Sequence, residues 1–567
     1  MASTNARSGE LSAPRWLDRE AIVAKPGFNR WMVPPAALCI HLCIGMAYGF
    51  SVFWKPLQSV LLGADGNPIP ECSAGAVTFG EKAAGTLRAL FATDCNWSQF
   101  DLGWMYTFFF VLLGVSAAIW GGWLERAGPR KAGLVATVCW CGGLLISAFG
   151  VYSHQLWLMW LGSGIIGGIG LGLGYISPVS TLIKWFPDRR GMATGMAIMG
   201  FGGGAMIGSP LATFLMDNIF KTATDPGVWQ TFVALAAIYA VFMLIGSFRY
   251  RLPPPGWKPE GWTPPASNGK AMITNNHVHL DDAHKTSAFW LLWLVLCMNV
   301  SAGIGIIGAA SPMLQETFGG ALAGAPEIGY AELKQNAALA ASAAAVGAGF
   351  VGIISLFNIF GRFAWATSSD YLGRKTTYFI FFVLGAGLYL LAASSADWKL
   401  LGLFVACFCI IASMYGGGFA TIPAYLADIF GTQFVGAIHG RLLTAWSTAG
   451  ILGPVIVNYL HDTRAAEGIP PDQLYGQIFY ILAGLLVIGF IANLLVRPVD
   501  PKWHMKEAEI AAEQAKLKSA AGPDVSGSYG IGKGGLDTPA ILFWSLVGVP
   551  LAWGVWQTLE KALVFFQ

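Results

Sequence analysis

The sequence predicts an all-α, polytopic membrane protein: twelve transmembrane helices in a 6+6 pseudo-repeat, followed by an extra C-terminal helix. Three observations carry this. Hydrophobic residues make up 55% of the 567 and charged residues only 11%, against about 25% in a soluble domain. A globule of this length could not cover its surface with so few charges. Apolar runs of bilayer length recur along the chain, and its two halves repeat at a constant offset.

The runs lie near residues 32–62, 100–122, 131–152, 156–182, 191–216 and 228–248, then near 287–314, 342–368, 376–395, 399–425, 437–460 and 476–496. Each is long enough to cross a bilayer as a helix, which satisfies its own backbone in lipid. A polar stretch with Lys502, Lys506, Lys516 and Lys518 comes next, and its 505–519 portion reads as a solvated helix. Ala540–Trp556 is a further apolar run, opened by Thr538-Pro539. It predicts a thirteenth span that leaves the C-terminus outside. The rival is a helix lying in the interface, because Glu560 and Lys561 come early and Pro550 interrupts the run.

Loop charge predicts the orientation. Arg126, Arg130 and Lys131 join the second and third runs, Lys184, Arg189 and Arg190 the fourth and fifth, and Arg374 and Lys375 the eighth and ninth. Arg249, Arg251, Lys258, Lys270 and Lys285 lie between the sixth and seventh, whereas the 5–6 loop has Lys221 alone. Positive loops stay inside. The N-terminus and the 6–7 connection are therefore expected in the cytoplasm, with the chain in a plasma membrane, a bacterial inner membrane by expectation. Arg7, Arg15, Arg19, Lys25 and Arg30 are scattered with no compact apolar core, so the first residues do not read as a cleavable signal.

The expected organisation is a cytoplasmic segment (1–30), a six-helix bundle (31–249), a cytoplasmic linker (250–286), a second six-helix bundle (287–497), a cytoplasmic segment (498–538) and the thirteenth helix (539–567). The linker is rich in Pro, Gly and Trp and reads as extended. Seven of the nine cysteines sit in apolar runs as small hydrophobes. Cys72 and Cys95 share one polar loop predicted to lie outside, where a disulfide and two free thiols are both open readings.

Gly121 to Lys131 reads GGWLERAGPRK, and Ala366 to Lys375 reads ATSSDYLGRK. Glu125 and Asp370 are 245 residues apart, as are Gly128 and Gly373, Pro178 and Pro423, Gly191 and Gly436, and Gly195 and Gly440. Such a repeat marks a parallel duplication of six helices. The first segment resembles the loop signature of the major facilitator superfamily, and that resemblance implies the twelve-helix major facilitator fold. Glu125, Arg126 and Arg130 in the first copy and Asp370 and Arg374 in the second are the predicted gating residues. Their ion pairs would latch the cytoplasmic side in one state and break in the other. Tyr371 replaces an arginine in the second copy, which predicts a weaker latch there.

KWFPDRRG at 184–191 with the glycine-rich helix after it, GGGFATIPAYLADIFG at 416–431 and the linker composition resemble the oxalate–formate antiporter family over residues 31–497. Arg362 is the central site prediction. It lies eight residues before Asp370, roughly 12 Å inward from the helix end. A guanidinium at that depth needs a cavity or a partner, and no acidic residue reads at similar depth in the other spans. Its natural partner is an anionic substrate held through the bidentate geometry that suits a carboxylate. Asn358 lies one turn earlier on the same face. Tyr175, Tyr415 and Trp446 are candidate cavity residues, with plain packing as the alternative.

The family resemblance implies a dicarboxylate clamp of this arginine and a lysine of the eleventh helix. Here Trp446 stands at the aligned position, and 437–460 holds no lysine. That departure points from oxalate toward a monocarboxylate such as formate, lactate or pyruvate, with Arg441 as a candidate second cation. His41 is the candidate for proton coupling, against a reading as an ordinary core histidine. Either a counter-anion or a proton could accompany the substrate.

The leading function is a secondary transporter of small carboxylate anions. Another small solute, or a sensor built on a transporter scaffold, is the alternative. Net charge is only +3, which gives no support for a nucleic-acid partner. No phosphate-binding loop, metal-ligand spacing or nucleophile elbow is found, so neither an enzyme nor a cofactor or metal is expected.

Overall fold

A computed structural model of the protein describes residues 16–63, 68–75, 79–222, 224–254, 257–263, 272–333, 335–512 and 537–563. Among these, regular structure is helical, with four isolated β-bridges. Thirteen helices are long and apolar enough to cross a membrane. They are α1 (Arg30–Phe50), α2 (Phe100–Ala127), α3 (Pro129–Tyr152), α4 (Leu156–Trp185), α5 (Arg190–Phe220) and α6 (Val228–Arg249), then α7 (Ser287–Ala323), α8 (Ala338–Leu372), α9 (Arg374–Asp397), α10 (Leu401–Phe430), α11 (Val435–Ala465) and α12 (Pro471–Leu495), and finally α13 (Thr538–Glu560).

Small residues set how closely these helices pass. A Cβ at Gly45 of α1 would stand 2.2 Å from the Phe201 carbonyl oxygen of α5. Lipid offers no hydrophobic drive between helices, so close backbone contact has to hold them together. Beyond that crossing, α1 tightens into a 3₁₀ stretch, Gly45–Phe53. The same device joins the two sets of six. On α2, Gly114 faces Leu443 and Ser447 of α11, and Gly121 faces Ala437. On α5, Gly191 and Gly195 face Ala366 and Arg362 of α8.

One end of the bundle gathers the basic loops. Ala24 N donates to Leu252 O (2.9 Å) and Met505 N to His277 O (2.8 Å), so the segment before α1, the α6–α7 linker and the segment after α12 meet at that end. The linker is not wholly extended: it includes a short helix, Leu280–Ala283. Of the helix expected over 505–519, residues 507–512 are helical and 513–519 lie outside the described residues. At the opposite end, Cys72 and Cys95 form a disulfide in the loop between α1 and α2. Next to it, Ser98 and Asp101 build a reciprocal cap on α2.

The last helix does not stand apart. Trp544 Nε1 donates to Trp31 O (3.0 Å), and the Arg249 guanidinium lies 5.7 Å from the Phe543 ring centre. Leu551 fits against Gly203 of α5, and Gly554 against Met206 and Ile207. Thr558 meets Gly352 of α8. Thus α13 runs along the seam between α5 and α8 and touches both sets of six. Leu542, Val549 and Trp556 point away from the bundle.

Candidate functional site

Arg362 lies where α8 meets α5, fully buried. Gly202 makes room for it: a Cβ there would sit 2.8 Å from Arg362 Nε. Nε donates to Asn358 Oδ1 (2.9 Å), one turn earlier, and Nη1 to the Ile198 carbonyl (3.4 Å). The guanidinium lies 5.5 Å from the Phe419 ring centre and 5.9 Å from that of Tyr48, and such faces attract a cation. Nη2 has no partner among the described residues. None of the ion pairs found there includes Arg362. A buried charge left so costs several kcal/mol unless something else neutralises it.

Around Arg362 lie Tyr48 of α1, Tyr175 of α4, Tyr415 of α10 and Trp446 of α11. The Tyr48, Tyr175 and Tyr415 hydroxyls and Trp446 Nε1 are all buried and outside the well-formed hydrogen bonds among the described residues. The Tyr48 hydroxyl faces the Tyr415 hydroxyl and the guanidinium. Trp446 is the hub. Its ring centre lies 4.4 Å from Phe419, 5.5 Å from Tyr175, 5.6 Å from Phe201 and 6.3 Å from Tyr48. An unpaired buried donor costs about 1–3 kcal/mol. Four groups able to donate, set round one cation, are chemically suited to an oxygen-rich anion, because a carboxylate is all acceptor.

The basic end is sealed by charge. Glu125 Oε2 accepts from Lys184 Nζ (2.5 Å) and Oε1 from Ser180 Oγ (2.9 Å). Asp370 accepts from the Gly191 and Met192 backbone N–H groups (2.8 and 2.9 Å), capping the start of α5 from the other set of six. Arg374 pairs with Asp370 (2.5 Å) and with Asp428 (3.1 Å), and also donates to Ser369. Asp428 holds Arg190 as well (2.9 Å).

Other predicted residues stand elsewhere. Arg130 donates to the Trp16 and Phe248 carbonyls, away from the seal, and Arg126 is exposed. Arg441 does not reach the centre. It donates to Leu280 O (2.7 Å) and pairs with Asp281 (2.9 Å) at the basic end, so the linker takes the charge that could have served as a second central cation. That contact holds the Asp281 carboxyl below its usual range. Sequence reasoning missed Tyr48, Asp428 and His439. His439 of α11 is buried, and neither ring nitrogen has a partner among the described residues. A histidine inside an apolar run was a legible signal. Nothing in the sequence aims Tyr48 at Arg362.

The family profile of the Major Facilitator Superfamily matches residues 72–355 and 300–566, and the chain belongs to that family. It is a multi-pass membrane transporter, not an enzyme. It is similar to the oxalate:formate antiporter of Oxalobacter formigenes, 27% identical over 290 residues, or 51% of this chain and 59% of the antiporter. It is also similar to the apicoplast pyruvate carrier 1 of Toxoplasma gondii, 25% identical over 426 residues, 65% of this chain and 71% of the carrier. Among solved structures, the fucose:proton symporter of E. coli superposes with a TM-score of 0.53 at 12% identity, over 83% of this chain and all of the symporter. That likeness supports the fold alone.

Proposed function

We propose that this transporter moves small carboxylate anions by alternating access, its two six-helix sets rocking about the Arg362 site. The observation that carries the reading is a buried guanidinium with no carboxylate partner among the described residues, ringed by buried groups able to donate. The names of two similar proteins, an oxalate:formate antiporter and a pyruvate carrier, agree with that class. One fixed central cation balances one negative charge, which favours a monocarboxylate such as formate, lactate or pyruvate. Sugar binding would call for more amide and carboxylate side chains round the centre than are found there.

The basic end faces the cytoplasm in this reading, in a plasma membrane of bacterial inner-membrane type. The pairs round Asp370, Asp428 and Glu125 are the cytoplasmic latch, and they part when that side opens. Uptake of labelled formate, lactate, pyruvate and oxalate into proteoliposomes tests the proposal, with wild type and Arg362→Ala side by side. Saturable uptake of an acid by wild type and its loss in a folded Arg362→Ala protein are expected. Arg362→Lys should restore little, since an ammonium lacks the planar fork. Uptake unchanged in Arg362→Ala overturns the site, and no uptake of any acid overturns the substrate class.

A further inference from the structure

His41 of α1 is fully buried, stacked on Tyr175 at 5.4 Å and edge-on to Phe201 at 6.3 Å. Both of its ring nitrogens face backbone carbonyls. Nδ1 is 2.5 Å from Ala197 O on α5, and Nε2 is 3.0 Å from Tyr175 O on α4. A carbonyl oxygen only accepts. Neutral imidazole has one N–H and one lone pair, so it serves one of these carbonyls and turns a lone pair on the other; imidazolium has two N–H groups and serves both. A proline enriches the niche in acceptors. Pro178 lies inside α4 and has no N–H for the carbonyl four residues back. That carbonyl, of Gly174, also lies beside the His41 ring.

The charges around His41 are few. Arg362 of α8 reaches the Ile198 carbonyl (3.4 Å), the next along α5 from the Ala197 carbonyl that His41 meets. Tyr175 faces it from α4, and α5 presents Ala197, Gly200 and Phe201, none of which ionises. Tyr48 lies two turns along its own helix, and His439 of α11 stands beyond the Tyr175 ring, 5.9 Å from it. With the site empty, a proton on His41 would sit against the Arg362 charge. An anion at Arg362 removes that opposition, and a dianion leaves one negative charge unbalanced. We propose that His41 is where this carrier binds a proton together with its anion, most fully when the anion is a dicarboxylate. The proton comes from water and adds to the free ring nitrogen, and no other bond changes. The site then takes a monoanion alone or a dianion with a proton.

This rests on the carboxylate reading, and the test separates the two. Purified protein in lipid nanodiscs is titrated with oxalate and with formate, by calorimetry in two buffers of different ionisation heat, which counts protons taken up per anion bound. Wild type should take up more proton with oxalate than with formate. By linkage, its oxalate affinity should rise several-fold from about pH 8 to about pH 6. His41→Gln should abolish both effects, while His439→Gln should keep them. The wild-type measurement needs no variant, so a misfolded His41→Gln leaves the test intact. Binding of both anions with no proton uptake overturns this inference alone, as does uptake that survives His41→Gln or disappears only in His439→Gln. Binding of neither anion overturns the carboxylate reading with it.

Discussion

In the first copy of the loop signature, Glu125 at the end of α2 lies against Gly436 at the start of α11. In the second, Asp370 at the end of α8 lies against Gly191 at the start of α5. The two glycines share the repeat offset, and the two carboxylates occupy related places. Their bonds differ. Asp370 spends both oxygens on N–H groups of α5, across the seam, where the positive end of a helix dipole favours a carboxylate. Glu125 turns to Ser180 and Lys184 within its own six helices. Tyr371, the departure that predicted a weaker second latch, is 81% exposed and stands apart from these bonds. A motif repeated in sequence can therefore hold a helix pair by charge within one half and by backbone capping across the seam in the other.

The sharpest test of this contrast is Asp428→Ala. It strands Arg190 and takes from Arg374 one of its two carboxylates, and these side chains are 13% and 8% exposed. Removing one partner of a buried pair costs about 3–5 kcal/mol, so a drop in melting temperature of the purified protein larger than that of any other latch variant is expected. Asp370→Ala comes next, at about 1–2 kcal/mol for a lost N-terminal cap, with Asp370→Asn recovering part of it. Glu125→Gln should cost less, about 1 kcal/mol, because glutamine still accepts from Ser180 and the Lys184 side chain is 19% exposed. A Glu125→Gln loss equal to that of Asp370→Ala would erase the contrast. Tyr371→Arg, which restores the signature, should shift stability by no more than about 0.5 kcal/mol.

The smallest effect concerns pH. Arg441 holds Asp281 below the usual carboxylate range. A lowered folded pKa adds stability above the unfolded value and loses it as pH falls through the folded one. Arg441→Ala should therefore flatten the stability profile only below about pH 4, and only slightly, since Asp281 is largely exposed.

Helix number and the position of Arg362 were legible because lipid imposes them. A span must be long and apolar, and a buried charge stands out against it. The partners of the charges were not legible. Asp428 meets Arg190 across 238 residues of chain, and no local pattern encodes which helix faces which. Arg441 shows the same limit. Its depth on α11 was readable, but the short linker helix that claims it belongs to a stretch whose composition suggested only an extended connection. The meeting of the Tyr48 and Tyr415 hydroxyls beside Arg362 is a property of the assembled centre and has no signature in their own runs.

Thirteen helices have the length and composition to cross a membrane, an odd number. If α13 crosses rather than lies in the interface, the chain before α1 and the chain after α13 stand on opposite faces, and reporters fused at the two ends sample different compartments. A fluorescent protein that matures only in the cytoplasm and an enzyme active only outside it should light up on opposite ends of this one chain.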